Sequence, residues 1–190
     1  MAINSGSVWQ RSSRPQPRRR LFETQDRCHS YNWRLAVASV LRGFVACPFF
    51  MPEERFASDW PFPQRLPLGA GWAGTCTAPG HEGVRPSEDE LTSGCNLGYA
   101  KKCSRLPAKR HADAVRFALG EERDGILRVL FACEREYLPA SHGELLYDAA
   151  SGSWLQSHGD ARVQRMAECY VRAQRGRRHN CGTSGGETQI

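Results

Sequence analysis

The 190-residue chain has no run of 18 uncharged apolar residues, and its mean hydropathy is −0.56, so no segment reads as a membrane-spanning helix. It has no Cys-x-x-Cys pair, the spacing on which most zinc fingers and ribbons rely. It also lacks Gly-x-Ser-x-Gly, His-Glu-x-x-His and phosphate-loop motifs, so the common hydrolase, zinc-protease and nucleotide-hydrolase signatures are missing. No internal repeat is visible. The densest acidic cluster, Glu88, Asp89 and Glu90, belongs to a helix start, where carboxylates complement the dipole. A particular reaction is therefore not written in the chain.

Hydrophobic residues make up 40% and charged residues 24%, enough for one core of modest size. With 18 Gly and 11 Pro, the fold should be rich in loops. The net charge of +6 is concentrated at the ends. Residues 1–34 carry +5 and residues 161–190 carry +4, whereas 35–160 carries −3. A basic face over a whole domain would mark a nucleic-acid binder, but basic ends are more often solvated tails.

Residues 1–20 are dominated by Ser, Arg, Pro and Gln and read as disorder within a basic N-terminal extension, 1–34. A single α+β domain then spans 35–178, with a flexible tail at 179–190. Trp33, Val37, Val40, Leu41 and Phe44 have helical spacing. From Cys47 to Gly83, six prolines and repeated glycines leave neither helical nor strand periodicity. Ser87-Glu88-Asp89-Glu90 is a capping box that should start a short helix. Residues 114–133 alternate on both sides of Asp124-Gly125 and predict a β-hairpin with a loop of about six residues. Residues 144–147 predict a third strand. Val163, Met166, Ala167, Tyr170 and Val171 form one face of a C-terminal amphipathic helix, with arginines 162, 165, 172 and 175 opposite. Asp160 is its expected N-cap and Gly176 its expected end. The expected fold is thus a small antiparallel sheet, a C-terminal helix and a long cysteine-bearing loop region, 47–103.

The eight cysteines divide by setting. Cys133 continues a strand and Cys169 lies on the helix beside Met166 and Tyr170, so both read as core. Cys28 and Cys181 lie in the tails and read as free thiols. Cys47, Cys76, Cys95 and Cys103 have no packing explanation. Cys47 precedes Pro48, Phe49 and Phe50; Cys76 comes after a glycine-rich loop; Cys95 lies between Gly94 and Gly98; Cys103 comes after Lys101 and Lys102. A loop region without an apolar pattern needs a cross-link, and four thiolates on a metal would supply one. Without a close pair, zinc is the weaker candidate. An iron–sulfur cluster accepts dispersed ligands, and aromatic cover and glycine amides suit its sulfurs. The alternatives are ordinary reduced thiols, or disulfides in an exported protein. His142 is a further candidate ligand or acid–base group, with a solvated turn residue as the bland reading.

Two motifs are weaker than they look. Gly69-Ala70-Gly71-Trp72-Ala73-Gly74 matches Gly-x-Gly-x-x-Gly, but prolines 61, 63 and 67 precede it and Pro79-Gly80 leaves no room for a helix after it. These glycines read as a flexible loop carrying Cys76. Arg19-Arg20-Leu21-Phe22 resembles a twin-arginine export signal, yet twelve mostly polar residues separate it from the apolar run at Leu35 and Arg42 interrupts that run. The expectation is a small cytoplasmic metal-binding protein, its role structural, redox or sensory. Its metal would be an iron–sulfur cluster or zinc on Cys47, Cys76, Cys95 and Cys103, and a protein partner is compatible with it. The alternative is a nucleic-acid-interacting module acting through its arginine-rich ends.

Overall fold

The structure is a computed structural model that describes residues 45–57, 60, 62, 65–100 and 102–181, with 178–181 described by backbone alone. The N-terminal extension, the arginine-pair motif, Cys28, the apolar spacing at 33–44 and residues 182–190 lie outside the described residues.

The fold is α+β. A two-stranded antiparallel sheet pairs β1 (Phe50–Arg55) with β2 (Trp72–Cys76). A four-stranded antiparallel meander runs β3 (Ala114–Arg123), β4 (Ile126–Arg135), β5 (Leu138–Asp148) and β6 (Ser153–Gln156) in spatial order. The helices are α1 (Glu88–Glu90), continued by a π-helical turn at Leu91–Cys95, and α2 (Ala161–Cys181).

The segment expected to be irregular holds β1 and β2. Its strand character is masked because Pro52 lies inside β1 and Gly74 inside β2, at a register shift between Pro52 and Glu54. Gly74 is there of necessity, since a Cβ at that position would stand 2.0 Å from the Met51 carbonyl oxygen. The glycines read as a flexible loop therefore lead directly into an ordered strand, and the strand–loop–helix unit of a dinucleotide site is not formed.

The hairpin loop at 124–125 is also tighter than expected. Asp124 and Gly125 have φ of 53° and 77°, as a two-residue turn between right-twisted strands requires. A register shift between Leu119 and Glu122 carries the pairing past the place where alternation fades. The third strand is longer than 144–147 because it pairs with β4 back to Leu138. Its turn, Glu136-Tyr137, takes φ of 52° and 65° in residues that rarely adopt them. Outside bonds hold it: Asp113 Oδ2 accepts from the Glu136 amide at 2.7 Å, and Tyr99 Oη accepts from the Tyr137 amide at 3.1 Å.

Helix α2 buries the expected face, with Val163, Met166, Ala167, Tyr170 and Val171 all enclosed. Asp160 caps it by accepting from the Arg162 amide at 2.9 Å. Gly176 does not end it; the helix continues to Cys181, three residues into the expected tail. Tyr170 stacks on Phe117 of β3 with ring centroids 5.7 Å apart, which lays the helix on the meander. On the other side Arg165 donates to the carbonyls of Pro52 and Glu53 at 2.9 and 3.0 Å, which ties the helix to β1.

A candidate four-cysteine centre

Cys47, Cys76, Cys95 and Cys103 line one cavity of about 300 Å³, although 56 positions separate the first from the last. Each is delivered by a different local device. An antiparallel bridge between Ala46 and Val115 holds the chain just before Cys47 against β3. Cys76 ends β2 opposite Phe50, and its sulfur accepts from the Ala78 amide at 3.5 Å. Cys95 ends the π-helical turn that extends the capped helix α1. Cys103 sits in a turn whose amide donates to the Ala100 carbonyl at 2.8 Å.

Three contacts fix these devices relative to one another. The Cys47 amide donates to the Cys95 carbonyl at 3.1 Å. Asn96, fully buried, clamps the π-helical turn to β2. Its Oδ1 accepts from the Trp72 amide at 3.0 Å, and its Nδ2 donates to the Trp72 and Leu91 carbonyls at 2.9 and 3.1 Å. Gly98, at φ 61°, lets its loop pass the 45–46 backbone; a Cβ there would lie 2.6 Å from the Val45 carbonyl oxygen. The two glycines beside Cys95 stand out in the sequence, whereas Asn96 does not. A buried amide with three backbone partners leaves no periodic trace.

Burial dominates the electrostatics. Cys47 and Cys76 are 8% and 9% exposed, while Cys95 and Cys103 are half-buried. Burial pushes the Cys47 thiol up to about 11, opposed by the Phe49 amide, with Cys103 and Cys76 adding to the rise. Cys95 is pushed up to about 12, again first by burial and then by Cys47, Cys103 and Cys76. The four thiols thus lie within each other's electrostatic reach, and ionising several together is costly unless a cation is present.

At the rim, Arg105 pairs with Glu90 at 2.8 Å, and that carboxylate also closes the capping box by accepting from the Ser87 amide at 2.7 Å. The Ser87 amide, then the Arg105 guanidinium, hold the Glu90 carboxyl below the usual carboxylate range. Tyr99 also lines the cavity and donates to Glu134 Oε2 at 2.9 Å. Glu134 is itself buried against Arg116.

All six described cysteines with placed side chains are free thiols, so none of them forms a disulfide. Among the described residues, no three His, Cys, Asp or Glu side chains are grouped as ligands of a metal ion. The four cysteines line this space of about 300 Å³ and are not grouped on a point. Cys169 is fully enclosed in the core, and Cys133 packs at the core's edge along a different cavity. His142 is exposed on β5 opposite Ala132, in a strand and not a turn, and does not line the cysteine cavity.

The arginines opposite the apolar face of α2, within the basic end read as solvated, are partly built into the fold. Arg162 pairs with Asp160, Arg165 holds β1, Arg172 lies 4.5 Å from the Trp72 ring centre, and Arg175 donates to Tyr147 Oη at 3.0 Å. Among the described residues, no helix is long and apolar enough to cross a membrane. Comparison of the chain with protein-family models, curated proteins and solved structures finds no match.

Proposed function

We propose that the protein binds an iron–sulfur cluster through Cys47, Cys76, Cys95 and Cys103. The observation that carries this reading is the convergence of these four thiols, and no other described cysteine, on one cavity. Ordinary reduced thiols have no reason to gather from four separate loops and turns. Their proximity adds to the cost that burial sets on ionising Cys47 and Cys95. A multiply charged inorganic core removes that cost by replacing the thiol protons with metal.

The size of the space favours a cluster over zinc. A single tetrahedral ion draws its sulfurs to Zn–S distances of about 2.3 Å, which an ungrouped set of thiols does not match. A cluster has its own bulk and takes four cysteines at its corners. The Ala78 amide on the Cys76 sulfur and the cover of Phe49 and Phe50 are features that tune such a centre through hydrogen bonding and burial. Arg162 lies within electrostatic reach of Cys47 and Arg105 stands at the rim, each sharing its charge with a carboxylate, Asp160 and Glu90. Its role is to pass or sense electrons, or to hold the loops together.

The test is purification of the full chain without oxygen, with iron, sulfide and zinc analysis of the product. Brown protein carrying iron and acid-labile sulfide supports the reading. Colourless, folded protein without metal overturns it, and one tightly held zinc per chain would assign the site to zinc instead.

A further inference from the structure

A second cavity, of about 370 Å³, shares Phe49 with the cysteine space. The two also meet along adjoining backbone. Ala78 and Leu106 face the cysteine space, while their neighbours Pro79 and Pro107 face this one. Its walls are apolar, with Phe49, Pro79, Pro107, Val115 and Val163. Its charged lining is one-sided, with Lys109, Arg110 and Arg162 against the single carboxylate of Asp160, and the imidazoles of His111 and His158 also line it. Arg162 is neutralised by Asp160, and Arg110 by Asp113. Lys109 and His111, both exposed, have no carboxylate partner among the described residues. The Lys109 charge at this cavity is therefore uncompensated among the described residues.

The polar groups deeper in are fixed. His158 Nδ1 accepts from the Asp160 amide at 2.9 Å. Its ring stands edge-on to Phe131 with centroids 4.6 Å apart, and its amide donates to Gln164 Oε1 at 2.8 Å. Arg162 is held by Asp160 through both Nε and Nη2. Ser141 and Cys133 also line it. A concave, largely apolar space with a few held polar groups is the usual form of a small-molecule site, and this volume is at the lower end of the range.

We infer that this cavity binds a small organic anion, with an apolar body among the prolines and Phe49 and a carboxylate or phosphate head toward Lys109 and His111. The site goes beyond the cluster reading and does not depend on it, although a ligand there would be one side chain away from the proposed cluster.

The test is calorimetric titration of the full chain, metal-free and metal-loaded, with four probes: benzoate, phenyl phosphate, inorganic phosphate and neutral benzyl alcohol. Saturable binding of benzoate or phenyl phosphate with a Kd of about 1 mM or tighter is expected, and the tighter of the two identifies the head group. Benzyl alcohol should bind at least about tenfold more weakly, which corresponds to one charge-assisted contact. The double variant Lys109→Ala/His111→Ala alters only exposed side chains. It should melt like the parent and bind about fivefold more weakly, the scale of exposed charge pairs. Tight inorganic phosphate binding without benefit from the phenyl group would overturn the apolar half of the assignment. No saturation by any anion, equal binding of benzyl alcohol, or unchanged affinity in the double variant would overturn it altogether. Because metal-free protein is titrated too, absence of a cluster leaves this test intact.

Discussion

Replacing Asn96 by Ala should do more damage than any other change of one small side chain in the cysteine region. The substitution deletes three hydrogen bonds and leaves the buried Trp72 amide and Trp72 carbonyl without those partners, while the Leu91 carbonyl keeps only the residue-96 amide at 3.2 Å. Each buried group so orphaned costs about 1–3 kcal/mol. Allowing for relaxation and a water entering the gap, the loss should be about 3–5 kcal/mol, a large part of the 5–15 kcal/mol typical of whole domains. For a chain of this size that corresponds to a melting temperature lower by about 6–20 °C. Asn96→Asp separates hydrogen bonding from volume. It keeps the shape and the acceptor toward the Trp72 amide, but it loses both donors and buries a carboxyl group, so it should be at least as destabilising as Ala. Thermal and urea unfolding of the metal-free protein measure both variants. A loss below about 1 kcal/mol for Asn96→Ala, or an Asp variant close to the parent, would refute the claim that this amide holds the π-helical turn to β2.

Gly74→Ala must push β1 and β2 apart, because its Cβ would meet the Met51 carbonyl oxygen at 2.0 Å. A loss of about 3 kcal/mol or more, measured by urea unfolding, is expected. Glu134→Ala takes from buried Arg116 its carboxylate and from Tyr99 its acceptor, and should cost about 3–5 kcal/mol in the same assay. Raising pH should weaken the metal-free protein. The Cys47 and Cys95 thiols stay protonated to about 11 and 12 when folded, whereas unfolded thiols ionise near their ordinary value of about 9. Their contribution is therefore intact below about pH 9 and declines as pH rises from there toward the folded values. A melting temperature that climbed across that range would contradict the burial of these thiols. Metal loading should reverse the trend, since it releases the thiol protons and is favoured as pH rises.

Signals that are local in the chain are legible in it. The capping box at Ser87, the alternation around Asp124-Gly125 and the buried face of α2 depend on residues a few positions apart, and all three are formed. The four cysteines are separable from Cys133 and Cys169 because they have no apolar pattern to belong to, and the fold brings the four to one cavity. Features supported from a distance are not legible. β1 and β2 carry Pro52 and Gly74 at the points where alternation should show, and only their pairing and the grip of Arg165 make them strands. The turn at Glu136-Tyr137 has no turn residue and relies on Asp113 and Tyr99, more than twenty positions earlier. The arginines of α2 look like a solvated stripe because a guanidinium that reaches a distant carbonyl or ring has the same sequence signature as one in water.

The cluster reading is tested most directly by six single Cys→Ser variants of the full chain, each purified without oxygen and assayed for iron and acid-labile sulfide per folded protein. Replacing Cys47, Cys76, Cys95 or Cys103 should sharply lower or abolish both. Replacing Cys133 or Cys169, which lie outside the shared cavity, should leave both at the parent level. Parent protein that folds and holds no iron, or iron kept at the parent level in two or more of the four cavity-cysteine variants, would contradict the cluster.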